Sequence, residues 1–177
     1  MLCECGCGQP TKIINHTNNL KHRAIISTIY SAGLRVSELT NLCLEDIDSE
    51  RMVIHIRSGK GNKSRMVNLS EKLLLLLIEY YKKYNPNHYL FEGWNNSQYS
   101  TRSVGKLLKN AANRAGIKRN VTPHMLRHSF ATHLVESGTD IHFVQRILGH
   151  TSIKTTSIYM HVANNKISGI RSPFDDI

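Results

Sequence analysis

The chain has no long hydrophobic run. Its longest uninterrupted apolar segment is the six residues from Leu73 to Ile78, whereas a membrane-spanning helix needs about 18. No apolar stretch of the kind found in secretory signal peptides follows Met1. These absences argue against a membrane protein and lead us to expect a cytoplasmic one.

Cysteine is also scarce. Three of the four cysteines crowd together near the start, at Cys3, Cys5 and Cys7. Zinc sites usually pair their cysteines with two to four residues between them, and alternate cysteines are too close for that arrangement. We therefore expect residues 1–19 to be a flexible leader without a bound metal, although His16 would be available as a fourth ligand. Cys43 lies among apolar residues and is expected to be a small core residue.

Acidic residues are few relative to basic ones. The chain has 13 Asp and Glu against 23 Lys and Arg, and its formal net charge is +10. Its length of 177 residues and its 40% hydrophobic content are ordinary for one globular domain. A basic excess of this size is typical of proteins that bind nucleic acids. The alternative is a basic soluble protein without such a partner.

Hydrophobic periodicity predicts an α+β fold that is mainly α-helical, with a small antiparallel β-hairpin. Apolar residues recur at helical spacing from Leu20 to Ala32, and Gly33 ends that segment. Two alternating segments, 51–57 and 63–69, flank a glycine-rich loop and predict a hairpin with Lys60 at its tip. Further helices are predicted at 38–43, 71–83, 101–115, 123–136, 140–148 and 164–170, and after Ser152. The inward face of the 71–83 helix is predicted to hold Leu73, Leu74, Leu77, Ile78 and Tyr81.

The stretch from His124 to Tyr159 combines groups suited to phosphodiester chemistry. A phosphodiester under attack gathers negative charge on its nonbridging oxygens, and the planar guanidinium of arginine matches two of them. His124 and Arg127 are spaced i, i+3 and share one face of a helix, while His150 lies at a helix end. Each group also has a simpler interpretation, namely a structural ion pair for Arg127, a structural His150 and a merely packed Tyr159.

The order of these groups along the chain resembles the tyrosine recombinase (phage integrase) family. Five blocks are similar to its motifs and follow its order, so the resemblance covers about Leu20 to Ile170. The blocks are Gly33–Leu39 (G-L-R-x-S-E-L), Gly59–Arg65 (G-K-G-x-K-x-R), His124–Leu134 (H-x-L-R-H), Leu148–Ser152 (L-G-H-x-[SD]) and Thr156–Tyr159 (T-x-x-Y).

The resemblance implies a catalytic domain over residues 20–177 that cleaves and rejoins double-stranded DNA through a 3′-phosphotyrosine. Tyr159 would attack the phosphate, releasing a 5′-hydroxyl, while Arg35 and Arg127 would hold the nonbridging oxygens. The resemblance also implies that Lys60 protonates the leaving oxygen. Because one ester replaces another, no metal, ATP or other cofactor is implied.

The remaining roles follow from the same resemblance. His124 would assist proton transfer from the tyrosine, and His150 would donate a hydrogen bond to the phosphate. Lys63 and Arg65 are expected to touch the DNA backbone, a kind of contact that positions a protein without selecting a sequence.

Two parts of the chain depart from the family pattern or leave it open. Family members usually carry an N-terminal helical domain that closes around DNA, and residues 1–19 do not resemble it, so we expect a truncated form or one part of a longer protein. The tail from about residue 161 is expected either to dock on a neighbouring protomer in a DNA-bound homo-tetramer or to pack on its own domain. Two other functions stay open, a type IB topoisomerase-like relaxing enzyme and a DNA-binding remnant without catalysis.

Overall fold

The protein folds as a set of helices around a small antiparallel sheet. A computed structural model describes residues 9–57, 64–150 and 154–159. Its α-helices are α1 (Gln9–Asn15), α2 (Leu20–Ala32), α3 (Val36–Thr40), α4 (Glu71–Tyr84), α5 (Thr101–Arg114), α6 (Pro123–Glu136), α7 (Ile141–Leu148) and α8 (Lys154–Ser157). Its strands are β1 (Ile47–Asp48), β2 (Val53–Ile56) and β3 (Arg65–Asn68). In this part of the chain, no helix is both long enough and apolar enough to cross a lipid bilayer.

The sheet contains the predicted hairpin. Its order is β1-β2-β3, and both neighbouring pairs are antiparallel. Val53 pairs with Asn68 and Ile54 with Val67, so the buried Ile54 and Val67 lie side by side on the core face. The mainly helical α+β class is thereby confirmed. Residues 58–63, with the predicted tip at Lys60, lie outside the described residues.

Helix α2 lies at the centre of the fold and packs against α4 and α6. It has the predicted bounds, and its N-cap is Asn19, whose side chain accepts a hydrogen bond from the His22 amide. It ends at Gly33, which has a left-handed φ of +60°. A Cβ at this position would lie 2.4 Å from Phe130 Cδ1, so both the backbone and the packing of α6 require glycine here.

The prediction that residues 1–19 form a flexible leader is wrong for residues 9–15. Residues Gln9–Asn15 form α1, which packs against α2 and α5. Ile13 is only 1% exposed and belongs to the main core. Because Asn and Thr residues surround this short helix, the sequence shows no clear helical period of hydrophobic residues there. Cys3, Cys5 and Cys7 lie outside the described residues.

The inward face of α4 is rotated from the predicted one. Its buried residues are Leu73, Leu77 and Tyr80, at i, i+4 and i+7, whereas Ile78 and Tyr81 are 41% and 46% exposed. A run of five leucines does not indicate which side of the helix faces the core, because every position along it is apolar. The phase is set instead by the aromatic packing of Tyr80, whose ring lies 5.3 Å from that of Phe91.

Three local predictions also differ from the structure. Helix α3 begins at Val36, with Arg35 as its N-cap, and ends at Thr40. Helix α7 begins at Ile141, one residue later than predicted, because Asp140 is its N-cap and its side chain accepts from the His142 amide. Cys43 is partly exposed, and its Sγ lies 3.7 Å from His88 Nε2.

Candidate active site

Arg127 is held in the interior by the ends of two helices. Its side chain is 5% exposed and lies on the buried face of α6. Nη1 donates to the carbonyl of Gly33 at 2.6 Å, and Nη2 donates to the carbonyl of Leu148 at 2.5 Å. These carbonyls lie at the C-terminal ends of α2 and α7, where the helix dipole places partial negative charge. The fold therefore fixes this guanidinium before any ligand binds.

A single buried carboxylate gathers two more arginines beside Arg127. Glu38 is the third residue of α3, and its side chain is 1% exposed. Its oxygens accept hydrogen bonds from the Arg35 amide at 2.8 Å and from Arg35 Nη1 at 2.7 Å. Arg65 donates to both oxygens, at 2.7 and 2.8 Å. Arg127 Nη1 lies 3.8 Å from Glu38 Oε2, so three guanidiniums surround one carboxylate.

Arginine keeps its positive charge in proteins, and Glu38 is ionised at neutral pH. Burial alone would raise the pKa of Glu38, but the hydrogen bonds from Arg65 and Arg35 outweigh it and lower that pKa to about 2. Burial and the charge of Arg35 lower the pKa of Arg127 to about 10, against the opposing charge of Glu38. The cluster thus has an excess of two positive charges, which suits an anion that gains charge as it reacts.

His150 lies next to this cluster, just after the C-terminal end of α7. Its Nδ1 is 3.0 Å from the hydroxyl of Thr156, and Arg35 Nη2 donates to the carbonyl of the preceding Gly149 at 3.1 Å. Burial, followed by the charges of Arg127 and Arg35, lowers the pKa of His150 to about 4. The ring is therefore neutral at pH 7. If the Thr156 hydroxyl donates to Nδ1, Nε2 carries the hydrogen and can donate to an anion.

Tyr159 is buried against the surface between α6 and α7. It is 4% exposed and packs in a small second core with Ala131, Val135, Val144 and Leu148. Its ring centroid lies 5.0 Å from that of His128. Burial raises the pKa of Tyr159, and the charge of Arg127 lowers it only in part. The phenol is therefore protonated at neutral pH and needs a proton acceptor before it can act as a nucleophile.

The structure brings together four of the predicted site residues, namely Arg35, Arg127, His150 and Tyr159. His124 lies exposed on α6, one turn before Arg127. Lys60 and Lys63 lie outside the described residues.

Arg65 has a position unlike that of a DNA-backbone contact. Its side chain is 9% exposed, and its Nε donates to the carbonyl of Ile147 at 2.7 Å while both Nη atoms bind Glu38. All three guanidinium nitrogens of Arg65 therefore donate to acceptors inside the fold. The structure therefore does not support the DNA contact predicted for Arg65.

Sequence reasoning overlooked two features. Glu38 was noted only as part of a motif and a helix start, although an acid three residues after an arginine is a signal for a capping ion pair. The second feature is the exposed cationic face of α5, which carries Arg102, Lys106, Lys109 and Arg114. Its signal was a stretch from residue 93 to residue 135 without any Asp or Glu. That stretch contains Arg102, Lys106, Lys109, Arg114, Lys118, Arg119 and Arg127.

Known proteins are similar to this chain over most of its length. Residues 9–166 match the model of the phage integrase family. The chain is 43% identical over 152 residues to a tyrosine recombinase of Thermosipho africanus, covering 86% of this chain and 53% of that protein. It is 42% identical over 160 residues to the tyrosine recombinase XerA of Pyrococcus horikoshii, covering 88% of this chain and 55% of that protein.

Solved structures are similar as well. The fold superposes on the crystal structure of XerA recombinase with a TM-score of 0.84 and 33% identity, over 93% of this chain and 62% of that one. It superposes on XerH site-specific recombinase, bound to a palindromic difH substrate in a post-cleavage complex, with a TM-score of 0.79 and 29% identity. That match covers 95% of this chain and 52% of XerH.

The fold is that of a tyrosine recombinase catalytic domain. The chain belongs to the phage integrase family, which confirms the resemblance seen in its motifs. It spans about half the length of the relatives that it matches.

Proposed function

We propose that this chain is the catalytic part of a site-specific DNA recombinase that cleaves and rejoins strands through a 3′-phosphotyrosine. One observation carries the proposal: Arg35 and Arg127 flank the same buried carboxylate, next to a neutral His150 and to Tyr159. This arrangement offers fixed positive charge, a neutral hydrogen-bond donor and a nucleophile within one small region. Its relative XerH was solved bound to a DNA substrate after cleavage.

In the proposed cleavage step, the phenolic oxygen of Tyr159 forms a bond to the phosphorus, and the bond from phosphorus to the 5′-oxygen breaks. The phenolic proton passes to His124, and the 5′-oxygen takes a proton from Lys60. Arg35 has a side chain that is 26% exposed, so it can reach a phosphate at the surface. Arg127 supports that phosphate from within the fold, and His150 donates through Nε2.

Rejoining is the same step in reverse with a different 5′-hydroxyl. Since one phosphate ester replaces another, bond energy is conserved and ATP is not required. The proposed partner is double-stranded DNA bound by a homo-tetramer in the cytoplasm. The exposed cations of α5 supply backbone contacts, because acid-free cationic faces attract phosphates.

A covalent-trapping experiment tests the proposal. The protein is incubated with nicked duplexes whose sequences are taken from the DNA on both sides of its gene. The nick lets the short cleaved fragment diffuse away, so that the covalent adduct accumulates. We expect a covalent protein–DNA adduct that Tyr159→Phe abolishes. The matched control Tyr81→Phe, at a tyrosine that is 46% exposed on α4, should form the adduct normally. An adduct that persists in Tyr159→Phe would refute the assigned nucleophile.

The same protein separates the alternatives. Recombinant products from two sites on a plasmid support the recombinase. Relaxation of a supercoiled plasmid without exchange would instead indicate a topoisomerase-like enzyme. Intact DNA binding without any adduct would indicate a remnant that no longer cleaves.

A further inference from the structure

We infer that Arg65 is a positioning residue that acts as the counter-ion of Glu38, leaving the charges of Arg35 and Arg127 available for the phosphate. The inference rests on the proposed function. It replaces a DNA contact by an internal ion pair, and it assigns this arginine to the chemistry of cleavage rather than to the affinity for DNA.

The geometry of Arg65 is that of a fully engaged internal cation. Its two Nη atoms each bind one oxygen of Glu38, the parallel arrangement in which arginine binds carboxylates most strongly. Its Nε is used by the Ile147 carbonyl, and only 9% of the side chain is exposed. Within the described part of the chain, Arg65 is the arginine that binds both oxygens of Glu38 through hydrogen bonds from its side chain.

The backbone beside Arg65 is shaped to admit it. Gly149 has a φ of +62°, and a Cβ there would lie 3.1 Å from Arg65 Cδ and 3.2 Å from Nη1. A larger residue would press the guanidinium away from Glu38. The turn that precedes His150 and the ion pair of Glu38 therefore depend on each other.

The ion pair of Arg65 and Glu38 determines how much positive charge the cluster offers to a phosphate. Three guanidiniums and one carboxylate leave two positive charges, and Arg65 and Glu38 cancel each other. Without Arg65, Glu38 would be balanced by Arg35, which already donates to Oε1, and by Arg127, whose Nη1 is 3.8 Å from Oε2. One positive charge would then remain, and both phosphate-binding guanidiniums would be drawn towards the carboxylate instead of the substrate.

Paired substitutions test this role. We expect Arg65→Gln to lower the single-turnover cleavage rate by about a hundredfold, the usual effect of losing one electrostatic contribution at a reacting centre. The double variant Arg65→Gln with Glu38→Gln restores the net charge of two, so it should cleave roughly tenfold faster than Arg65→Gln alone. If Arg65 had only a structural role, the double variant should cleave more slowly than Arg65→Gln, because the second substitution would disrupt the fold further.

DNA affinity at several salt concentrations supplies the second measurement. Arg65→Gln should leave unchanged the slope of log affinity against log salt, since Arg65 meets no phosphate. Lys106→Gln, on the exposed face of α5, serves as the contrasting variant and should reduce that slope by about 0.9. A similar reduction in Arg65→Gln, or a double variant no faster than the single one, would overturn the inference.

A third measurement does not require activity. Carbon NMR of the Glu38 carboxyl should show its pKa rising in Arg65→Gln, and an unchanged Glu38 titration would refute the pairing. Absence of any adduct from the wild-type protein would refute the proposed function while leaving the NMR and salt measurements to decide the role of Arg65. If Arg65→Gln does not fold, Arg65→Lys takes its place. It keeps the charge but cannot make the two parallel hydrogen bonds to Glu38, so we expect about a tenfold loss of cleavage rate, and a hundredfold loss in folded protein would count against the inference.

Discussion

Replacing Glu38 by glutamine should destabilise the protein in a strongly pH-dependent way. Glutamine has nearly the shape of a protonated carboxyl but cannot balance the surrounding arginines. The pKa of Glu38 falls from 4.5 to about 2 on folding, and a tenfold change in proton affinity corresponds to about 1.4 kcal/mol. The ionised carboxylate therefore contributes about 3 kcal/mol to the free energy of unfolding at neutral pH.

The direction of the pH effect follows from the lowered pKa. The contribution is fully present above pH 4.5, the pKa in the unfolded chain, and is lost as the pH falls towards 2. Wild type should exceed Glu38→Gln in stability by about 3 kcal/mol at pH 7 and by only about 1 kcal/mol at pH 3. Urea unfolding followed by circular dichroism measures both values. Tryptophan fluorescence is less suitable, because the single Trp94 is 86% exposed in the folded state.

Glu79→Gln provides the matched control. The Glu79 side chain is 60% exposed, and its carboxylate lies 3.6 Å from the Arg23 guanidinium. Exposed pairs of this kind contribute less than about 1 kcal/mol to the free energy of unfolding. We expect little change from this substitution at either pH. A stability difference between wild type and Glu38→Gln that stays constant from pH 7 to pH 3 would refute the assignment of Glu38 as the ionised centre of the cluster.

Three further substitutions give distinct expectations. Gly149→Ala should lower stability by about 1–2 kcal/mol, because the left-handed backbone at this position disfavours a Cβ. The same substitution should slow cleavage by displacing Arg65. Thermal unfolding measures the first effect and adduct formation the second. Thr132→Val should raise stability by about 1 kcal/mol in urea unfolding, since within the described chain the buried Thr132 hydroxyl has no hydrogen-bond partner. Arg35→Ala should reduce adduct formation by about a hundredfold or more while leaving DNA affinity largely unchanged, and a normal adduct yield would remove Arg35 from the phosphate-binding pair.

The elements that sequence predicted best are those with an unambiguous start or stop. Helix α2 was predicted with its observed bounds, because its apolar period is regular and Gly33 ends it. Helix α6 likewise has its predicted bounds of 123–136, with Thr122 as its N-cap and Pro123 as its first residue. The hairpin was predicted from two alternating segments, and β2 and β3 fall within them.

The errors arose where local pattern does not determine the tertiary partner. The leucine run of α4 has no phase of its own, so the buried position of Tyr80 depended on Phe91, which lies farther along the chain. The same limit applies to Arg65. Its sequence neighbourhood is basic and glycine-rich, which suggests a DNA contact, but its partner Glu38 lies 27 positions earlier in the sequence. Motif order selected the candidate residues, and only the folded arrangement shows which of them bind each other.

The way in which Arg127 is held changes what can be learned from inactive variants. Its guanidinium joins the carbonyl ends of α2 and α7, so it is a tertiary cross-link in addition to its proposed role as a phosphate ligand. Removing it leaves two buried helix ends without their donor, and such losses are costly. A genetic screen for lost recombination would therefore recover Arg127 substitutions among both the catalytic and the temperature-sensitive alleles. Tyr159→Phe, which removes only one hydroxyl, is the cleaner null allele for separating DNA binding from strand exchange.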